Sequence, residues 1–438
     1  MRQSGSDDSQ TRRCDVLIVG GGPAGASAAA VLAECGHQVV LLEKARHPRF
    51  HIGESLLPAN LPLFERLGVG AAIRAIGMPK RGAQFHAPNG ARTQRFAFAD
   101  SWNKRLPLAY QVRRSQFDEI LIRRAEALGA QVIEECRARE VDFSDPRGVR
   151  VYAEQAGVAR TFTARYLIDA SGRDTFLGNH LGTKRRDRKH ASCAMFAHFA
   201  GAGRDADAAR CGDISLFWID QGWLWSIPLA DGLTSVGAVV WPSYMKSRRQ
   251  DLRAFFLATI ARSPDLSARL AAAQLATEVE ATGSYSYRCT RAHGERHLLI
   301  GDAYSFIDPV FSSGVLFAMV GGIAAGEALD LCLREPRRRR AALRRFESTV
   351  RLGPRHFAWF IYRMTRPAMQ ALFMAPRNAL GMRAALLSLL SGDIFADTPI
   401  WPALRTFQGV YFLTALTMPR RSLHALARRA RELRTSAH

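Results

Sequence analysis

The chain has 438 residues, 47% of them hydrophobic and 23% charged, proportions that exclude a disordered or collagen-like protein and leave enough chain to bury a large core. Sixty-one Lys and Arg against 39 Asp and Glu give a formal charge of +22, which draws anions over roughly a Debye length, whether acidic proteins, anionic lipid or nucleic acid. The 7 cysteines are widely spaced with no CxxC pair, which argues against a zinc site or a redox disulfide and fits a reducing compartment, the cytoplasm.

Residues 1–13 carry two aspartates and no apolar stretch, so they are expected to be a disordered lead-in and not a secretory signal. Next comes a short apolar strand, Cys14 to Val19, then Gly20-Gly21-Gly22-Pro23-Ala24-Gly25 and an alanine-rich helix. Strand, GxGxxG turn and helix stand in the order that a dinucleotide site needs. Gly20 permits the turn, Gly22 lets the backbone approach a pyrophosphate, and Gly25 lets helix and strand pack closely. The helix start offers free N–H groups to phosphate. A second strand, Gln38 to Leu42, delivers Glu43, followed by Lys44, about 20 residues on, where a carboxylate accepts ribose hydroxyls.

Further along, Gln111-Val112-Arg113-Arg114, the strand-turn Ala164 to Arg173, and Ile300-Gly301-Asp302-Ala303 followed by Asp308-Pro309 resemble, in the right order, the segments with which FAD-dependent monooxygenases hold their cofactor. That resemblance implies FAD, with Arg114 at its phosphates and Asp302 at its ribityl and pyrophosphate. No second strand-GxGxxG-helix is present, so reduced FAD is expected from a separate flavin reductase, or hydride from a nicotinamide that docks without a Rossmann site.

Three more stretches narrow the resemblance to the flavin-dependent halogenases. Gly53-Glu54-Ser55 looks like their Gly-Glu-Ser loop, Trp223-Leu224-Trp225-Ser226-Ile227-Pro228 matches their Trp-x-Trp-x-Ile-Pro signature, and Asp308-Pro309-Val310-Phe311-Ser312-Ser313-Gly314-Val315 looks like their flavin and halide loop. Lys80, ahead of Gly82-Ala83-Gln84-Phe85, sits where the family keeps its catalytic lysine. The resemblance runs from about residue 14 to about residue 330. It implies cofactor contacts from Gly20, Gly22, Pro23, Ala24, Gly25, Glu43, Lys44, Glu54, Ser55, Arg114, Asp302, Pro309, Gly314 and Val315. Halide is expected at the amides of Ser313 and Gly314, and catalytic roles fall to Lys80, Trp223, Trp225 and Ser313. In the family, reduced FAD, oxygen and halide yield hypohalous acid, which the lysine passes to an arene. Tryptophan halogenases have a glutamate just before their Ser/Thr-Gly pair; here the run is Phe311-Ser312-Ser313-Gly314. This favours the phenol and pyrrole branch, whose substrates are free aromatics or aromatics tethered to an acyl carrier protein.

The expected fold is α/β. A Rossmann-type, aromatic hydroxylase-like FAD domain (14–189 and 291–333) is interleaved with a β-sheet substrate domain (190–290), and a mainly helical C-terminal region (334–438) follows. From Arg334 onward about twenty arginines face about five acidic residues. Packing helices with a basic outer face, an anionic membrane surface at the inner face of the membrane, and an acidic carrier protein are all compatible with this segment, whereas no nucleic-acid module accompanies the charge. Two other readings stay open: a halogenase-like FAD monooxygenase that makes no use of halide, and a non-catalytic, membrane-associated flavoprotein.

Overall fold

The structure, a computed structural model, describes residues 11–90, 92–283 and 286–435. Most of the expected lead-in lies outside them; residues 11–13 do not belong to it, because the first strand already starts there, as Thr11–Val19.

That strand pairs in parallel with Val39–Leu42 on one side and with the long strand Val158–Asp169 on the other. Gln131–Ile133 extends the sheet beyond Val39–Leu42, and His297–Leu299 pairs with the far end of Val158–Asp169, both in parallel. Reading across, the parallel strands come in chain order 3-2-1-4-5, the order of a Rossmann half. Such strands are covered on both faces, which is why they are near-continuous apolar runs: Val16, Leu17, Ile18, Leu41, Leu167 and Ile168 are all fully buried. The first helix, Pro23–Glu34, packs on this sheet.

The helix Gly314–Arg334 is long and apolar enough to cross a membrane by length and composition, with a mean hydropathy of 1.7, but 67% of that window is buried inside the protein. It crosses the first helix through glycines: a Cβ on Gly322 would lie 2.3 Å from the Ala24 carbonyl oxygen, and one on Gly326 would lie 2.8 Å from Val31. Gly322 and Gly326 therefore form a packing seam between the two helices.

The second sheet runs Gln274–Leu275, Cys193–Ala200, Thr234–Val240, Gly222–Pro228, Ile214–Ile219, Gly82–His86 and Thr93–Ala97. Its last two strands come from the stretch expected in the FAD domain. The sheet thus reaches back across the 190 boundary and begins two residues after Lys80, which ends a short strand, Met78–Lys80, paired with Ala109–Gln111.

The C-terminal region is helical, as expected, and much of it is core. Helix Arg339–Ile361 buries Leu343, Phe346, Phe357 and Phe360 and leaves its arginines outward. Phe373, fully buried, stands edge-on against Phe85 at 5.0 Å and lies 5.3 Å from Phe96, both on the strands beyond Lys80. Packing helices with a basic outer face describe most of this segment.

Candidate active site

The glycine turn has the geometry the sequence calls for. Gly20 has φ +107°, and a Cβ there would lie 2.2 Å from the Ala170 carbonyl oxygen; a Cβ on Gly25 would lie 1.9 Å from the Gly20 carbonyl oxygen. Gly22 differs, because the only atom within 4 Å of its missing Cβ is Arg49 Nη2, at 3.7 Å. The turn is closed towards the protein and open where phosphate would sit, with Pro23 starting the helix beside it.

From this open face a line of groups leads to Lys80. Arg49 hydrogen-bonds Asp118 at 3.2 Å and lies 3.6 Å from Glu43. Asp118 receives two bonds from Arg114, at 2.8 and 3.0 Å. Burial alone would raise the Asp118 carboxyl, but the Arg114 and Arg49 guanidiniums hold it below the usual carboxylate range. Arg114 also donates to the Ile52 carbonyl at 3.1 Å, which fixes the loop carrying Gly53, Glu54 and Ser55.

Ser55 Oγ accepts from Lys80 Nζ at 2.9 Å, and the Leu56 carbonyl accepts from the same amine at 2.9 Å. Lys80 is buried, 1% exposed, with the Phe98 ring 5.3 Å from its amine. The nearby carboxylate, Asp213, is engaged by Arg95 at 2.7 Å and by the Arg81 amide at 3.0 Å. Burial pushes the Lys80 pKa down to about 7, with Asp213 opposing.

Several expected cofactor contacts have protein partners. Both Glu43 oxygens accept backbone amides, from Gly21 at 2.7 Å and Ala45 at 2.9 Å, so the carboxylate braces the turn. Lys44 pairs with Asp174 at 2.5 Å on the surface. One oxygen of buried Glu54 pairs with His198 at 2.8 Å, while Oε2 is buried with no hydrogen-bond partner among the described residues. Gly301, just before Asp302, approaches Ala24, since a Cβ on it would lie 3.1 Å from that methyl group; Asp302 therefore stands at the start of the first helix. Burial raises its carboxyl to about 6, opposed by Arg114 and Arg173.

The stretch expected to hold halide, Asp308 to Val315, leads into a helix start. Asp308 caps a short turn, Pro309–Phe311, Ser312 takes a left-handed conformation at φ 57°, and buried Ser313 is the N-cap of helix Gly314–Arg334, whose first amides, those of Gly314 and Val315 included, lack partners within the helix. Nothing lies within 4 Å of a Cβ placed on Gly314. Trp223 and Trp225 stand on one face of their strand with ring centroids 5.9 Å apart. Trp225 lies over Gly237, where a Cβ would come within 2.1 Å of the indole, and it donates to Ser235 at 3.2 Å. One packed apolar cluster joins Leu57, next to Lys80's partner, to both indoles and to Val310 and Phe311, which precede Ser313.

Sequence reasoning missed Arg49 and the group at Asp308. Asp308 Oδ2 accepts from His190 at 2.9 Å and Ser192 at 3.0 Å, and all three, with Trp223 and Val310, line one small cavity. Arg49 stands six residues after Glu43 in a charged, proline-containing stretch, and nothing local marks it as facing the turn.

An open glycine turn with an arginine over it, a carboxyl at the helix start, an orphaned buried oxygen on Glu54 and open space at Gly314 fit a bound FAD. The prediction is specific to position. Gly22→Val, at φ −74°, should leave the apoprotein folded but weaken FAD binding about 100-fold, the scale of one or two charge-assisted contacts. Gly25→Ala should instead disrupt folding. Flavin content and melting of the two apoproteins distinguish these effects, and a Gly22→Val protein as yellow as wild type would remove the turn from the cofactor site.

Comparison with known proteins agrees with this geometry. The family model for the FAD binding domain matches residues 13–350. A flavin-dependent halogenase of Armillaria mellea, armH3, is 32% identical over 73% of this chain and 68% of its own length. The 1H-pyrrole-2-carbonyl-[peptidyl-carrier protein] chlorinase of Pseudomonas fluorescens is 29% identical over 87% of this chain and 90% of its own. Among solved structures, the myxobacterial chondrochloren halogenase CndH superposes with a TM-score of 0.77 at 30% identity, covering 92% of this chain and 97% of that one. With FAD as its cofactor and the enzyme type of an oxidoreductase, this chain belongs to the flavin-dependent halogenase family.

Proposed function

We propose that this protein halogenates an electron-rich aromatic, a phenol or pyrrole, free or tethered to a carrier protein, with Lys80 as the relay. The carrying observation is a fully buried amine, hydrogen-bonded to Ser55 and Leu56 and joined to the Val310–Phe311 loop by an apolar cluster holding Trp223 and Trp225, where burial favours its neutral form. Bound reduced FAD, supplied by a separate reductase, would furnish hypohalous acid from oxygen and halide.

The chain's own residues do the rest. The Ser313 and Gly314 amides hold halide by N–H donation without a full countercharge. Trp223 and Trp225 keep the aromatic away from the cofactor, so that it meets the halogen only at Lys80. There the amine either hydrogen-bonds hypohalous acid or reacts with it, R–NH2 + HOX giving R–NHX and water; the arene then takes the halogen, loses its proton and restores the amine. The neutral form of the lysine is required, and its depressed pKa keeps about half of it neutral near pH 7.

A lysine with its pKa lowered from 10.5 to about 7 gains its neutral form as pH rises, so product formation should climb between pH 6 and 8 with a midpoint near 7. Steady-state rates under saturating reduced FAD measure it, and a rate that is flat or falling over that range would count against a neutral-amine relay. The reading itself is tested by incubating the protein with FAD, a flavin reductase, chloride or bromide and a panel of phenols and pyrroles. Halogenated product is expected, and none with any member of the panel would contradict it.

The seven free cysteines fit a reducing cytoplasm. An anionic membrane surface is the competing partner for the basic C-terminal helices.

A further inference from the structure

The Arg-rich C-terminus is not uniform. Where helix Pro419–Thr435 meets the start of helix Pro367–Met374 and the turn after Ile219, it encloses a cleft of about 390 Å³. Arg366, Arg420, Arg421, Arg428, Arg429 and His424 line it, against one carboxylate, Asp220. Among the described residues none of these five arginines is within 4 Å of a carboxylate. Arg428 spends a bond on the neutral amide oxygen of Gln221 at 2.7 Å, and Arg429 donates to the carbonyls of Tyr362 and Lys189. Burial, and then the neighbouring Arg366, press the Arg429 pKa down to about 10, a crowding of like charge that a bound anion would relieve.

The cleft shares Gly222, Trp241 and Thr365 with the small cavity that Trp223, His190 and Asp308 line. An anion held by the arginines thus lies in a cleft that adjoins the small cavity beside Trp223, with Gly222, Trp241 and Thr365 as their common wall.

We infer that this cleft binds the phosphate ester of a pantetheine-type arm on which the aromatic substrate is presented. This rests on the carrier-tethered form of the function proposed above. Guanidiniums suit phosphate because their paired N–H donors match its oxygens. A concave site with Pro88, Ile219 and Trp241 as apolar walls fits a slender chain ending in phosphate. It does not fit a flat bilayer, and the exposed apolar residues of this region, Phe412, Leu413, Leu416 and Leu423, do not line it.

The test compares 4′-phosphopantetheine with pantetheine, which differ only in the phosphate, by titration calorimetry on the full-length FAD-loaded protein. The phosphorylated probe should bind at least about 10-fold more tightly, and added salt should erode the difference. Arg420→Glu with Arg421→Glu, two exposed positions, should abolish the preference while FAD content and turnover of a free phenol or pyrrole stay at wild-type level. Arg366→Gln should weaken it in the same direction. Equal binding of the two probes, or a preference that survives the double charge reversal, overturns the proposal. It is likewise overturned if the charge reversal reduces only sedimentation with phosphatidylglycerol vesicles, which would make the arginines a lipid-facing surface. Because binding is read without turnover, a phosphate preference in a protein that halogenates nothing would support the cleft while removing the proposed reaction.

Discussion

Lys80→Ala should abolish halogenated product while leaving FAD binding and the oxidation of reduced FAD by oxygen at wild-type level. Under the proposed function those steps take place at the glycine turn and the Ser313–Gly314 helix start, which reach Lys80 indirectly, through Arg49, Asp118, Arg114 and the Gly53–Ser55 loop on one side and through the apolar cluster of Leu57, Trp223 and Trp225 on the other. Some stability is lost too, because removing a buried donor leaves Ser55 Oγ and the Leu56 carbonyl unpartnered, at a cost of about 1–3 kcal/mol. Lys80→Met separates this from chemistry, since it fills the same space without an amine and should be equally inactive. Product measured by mass spectrometry beside the rate of flavin oxidation gives both readouts. Halogenated product from either variant at near wild-type rate would end the relay.

Ending the chain after Glu335 should prevent folding. Phe357, Phe360 and Phe373 are each no more than 2% exposed, and each fully buried side chain of this size contributes about 1.5–3 kcal/mol. Together with Leu343, Phe346, Leu386 and Leu387 of the same segment, their removal exceeds a large part of the 5–15 kcal/mol that ordinarily separates folded from unfolded states. Loss of Phe373 also uncovers Phe85 and Phe96, on the strands that begin two residues beyond Lys80. Melting followed by near-UV circular dichroism and flavin content reads the outcome. A soluble, flavin-loaded fragment with a sharp transition would show that residues 336–438 are an appended module.

The dinucleotide turn was readable because its requirements are local: Gly20 and Gly25 need absent side chains within a few residues of one another, and that constraint is visible in the letters themselves. The Ser313-Gly314 helix start was readable for the same reason. The burial of Lys80 followed from the family resemblance and not from its own stretch, because Met78-Pro79-Lys80-Arg81 has the polarity of a surface loop, and what dries the amine arrives from Phe98 and the paired strand Ala109–Gln111. Glu43 is expected from its spacing to accept ribose hydroxyls; that its oxygens accept the Gly21 and Ala45 amides depends on how the following loop folds back on it, which the spacing does not carry. Arg49, the His190–Ser192–Asp308 group and the seating of Phe373 depend on contacts between residues far apart in the chain, and no spacing rule encodes those. The sheet's reach across position 190 was not legible for a related reason: the strand pair at 82–97 joins strands that come only from Cys193 onward.

The central claim is that oxidising power made at the flavin leaves as halogen and not as oxygen. Its most direct test is the product mass after turnover under 18O2 with the protein, FAD, a flavin reductase and a reactive phenol or pyrrole, with and without bromide. The expected product carries bromine and no 18O, and none forms when bromide is withheld. A product that carries 18O and forms without bromide would contradict the account and assign the protein to the hydroxylating relatives of the family.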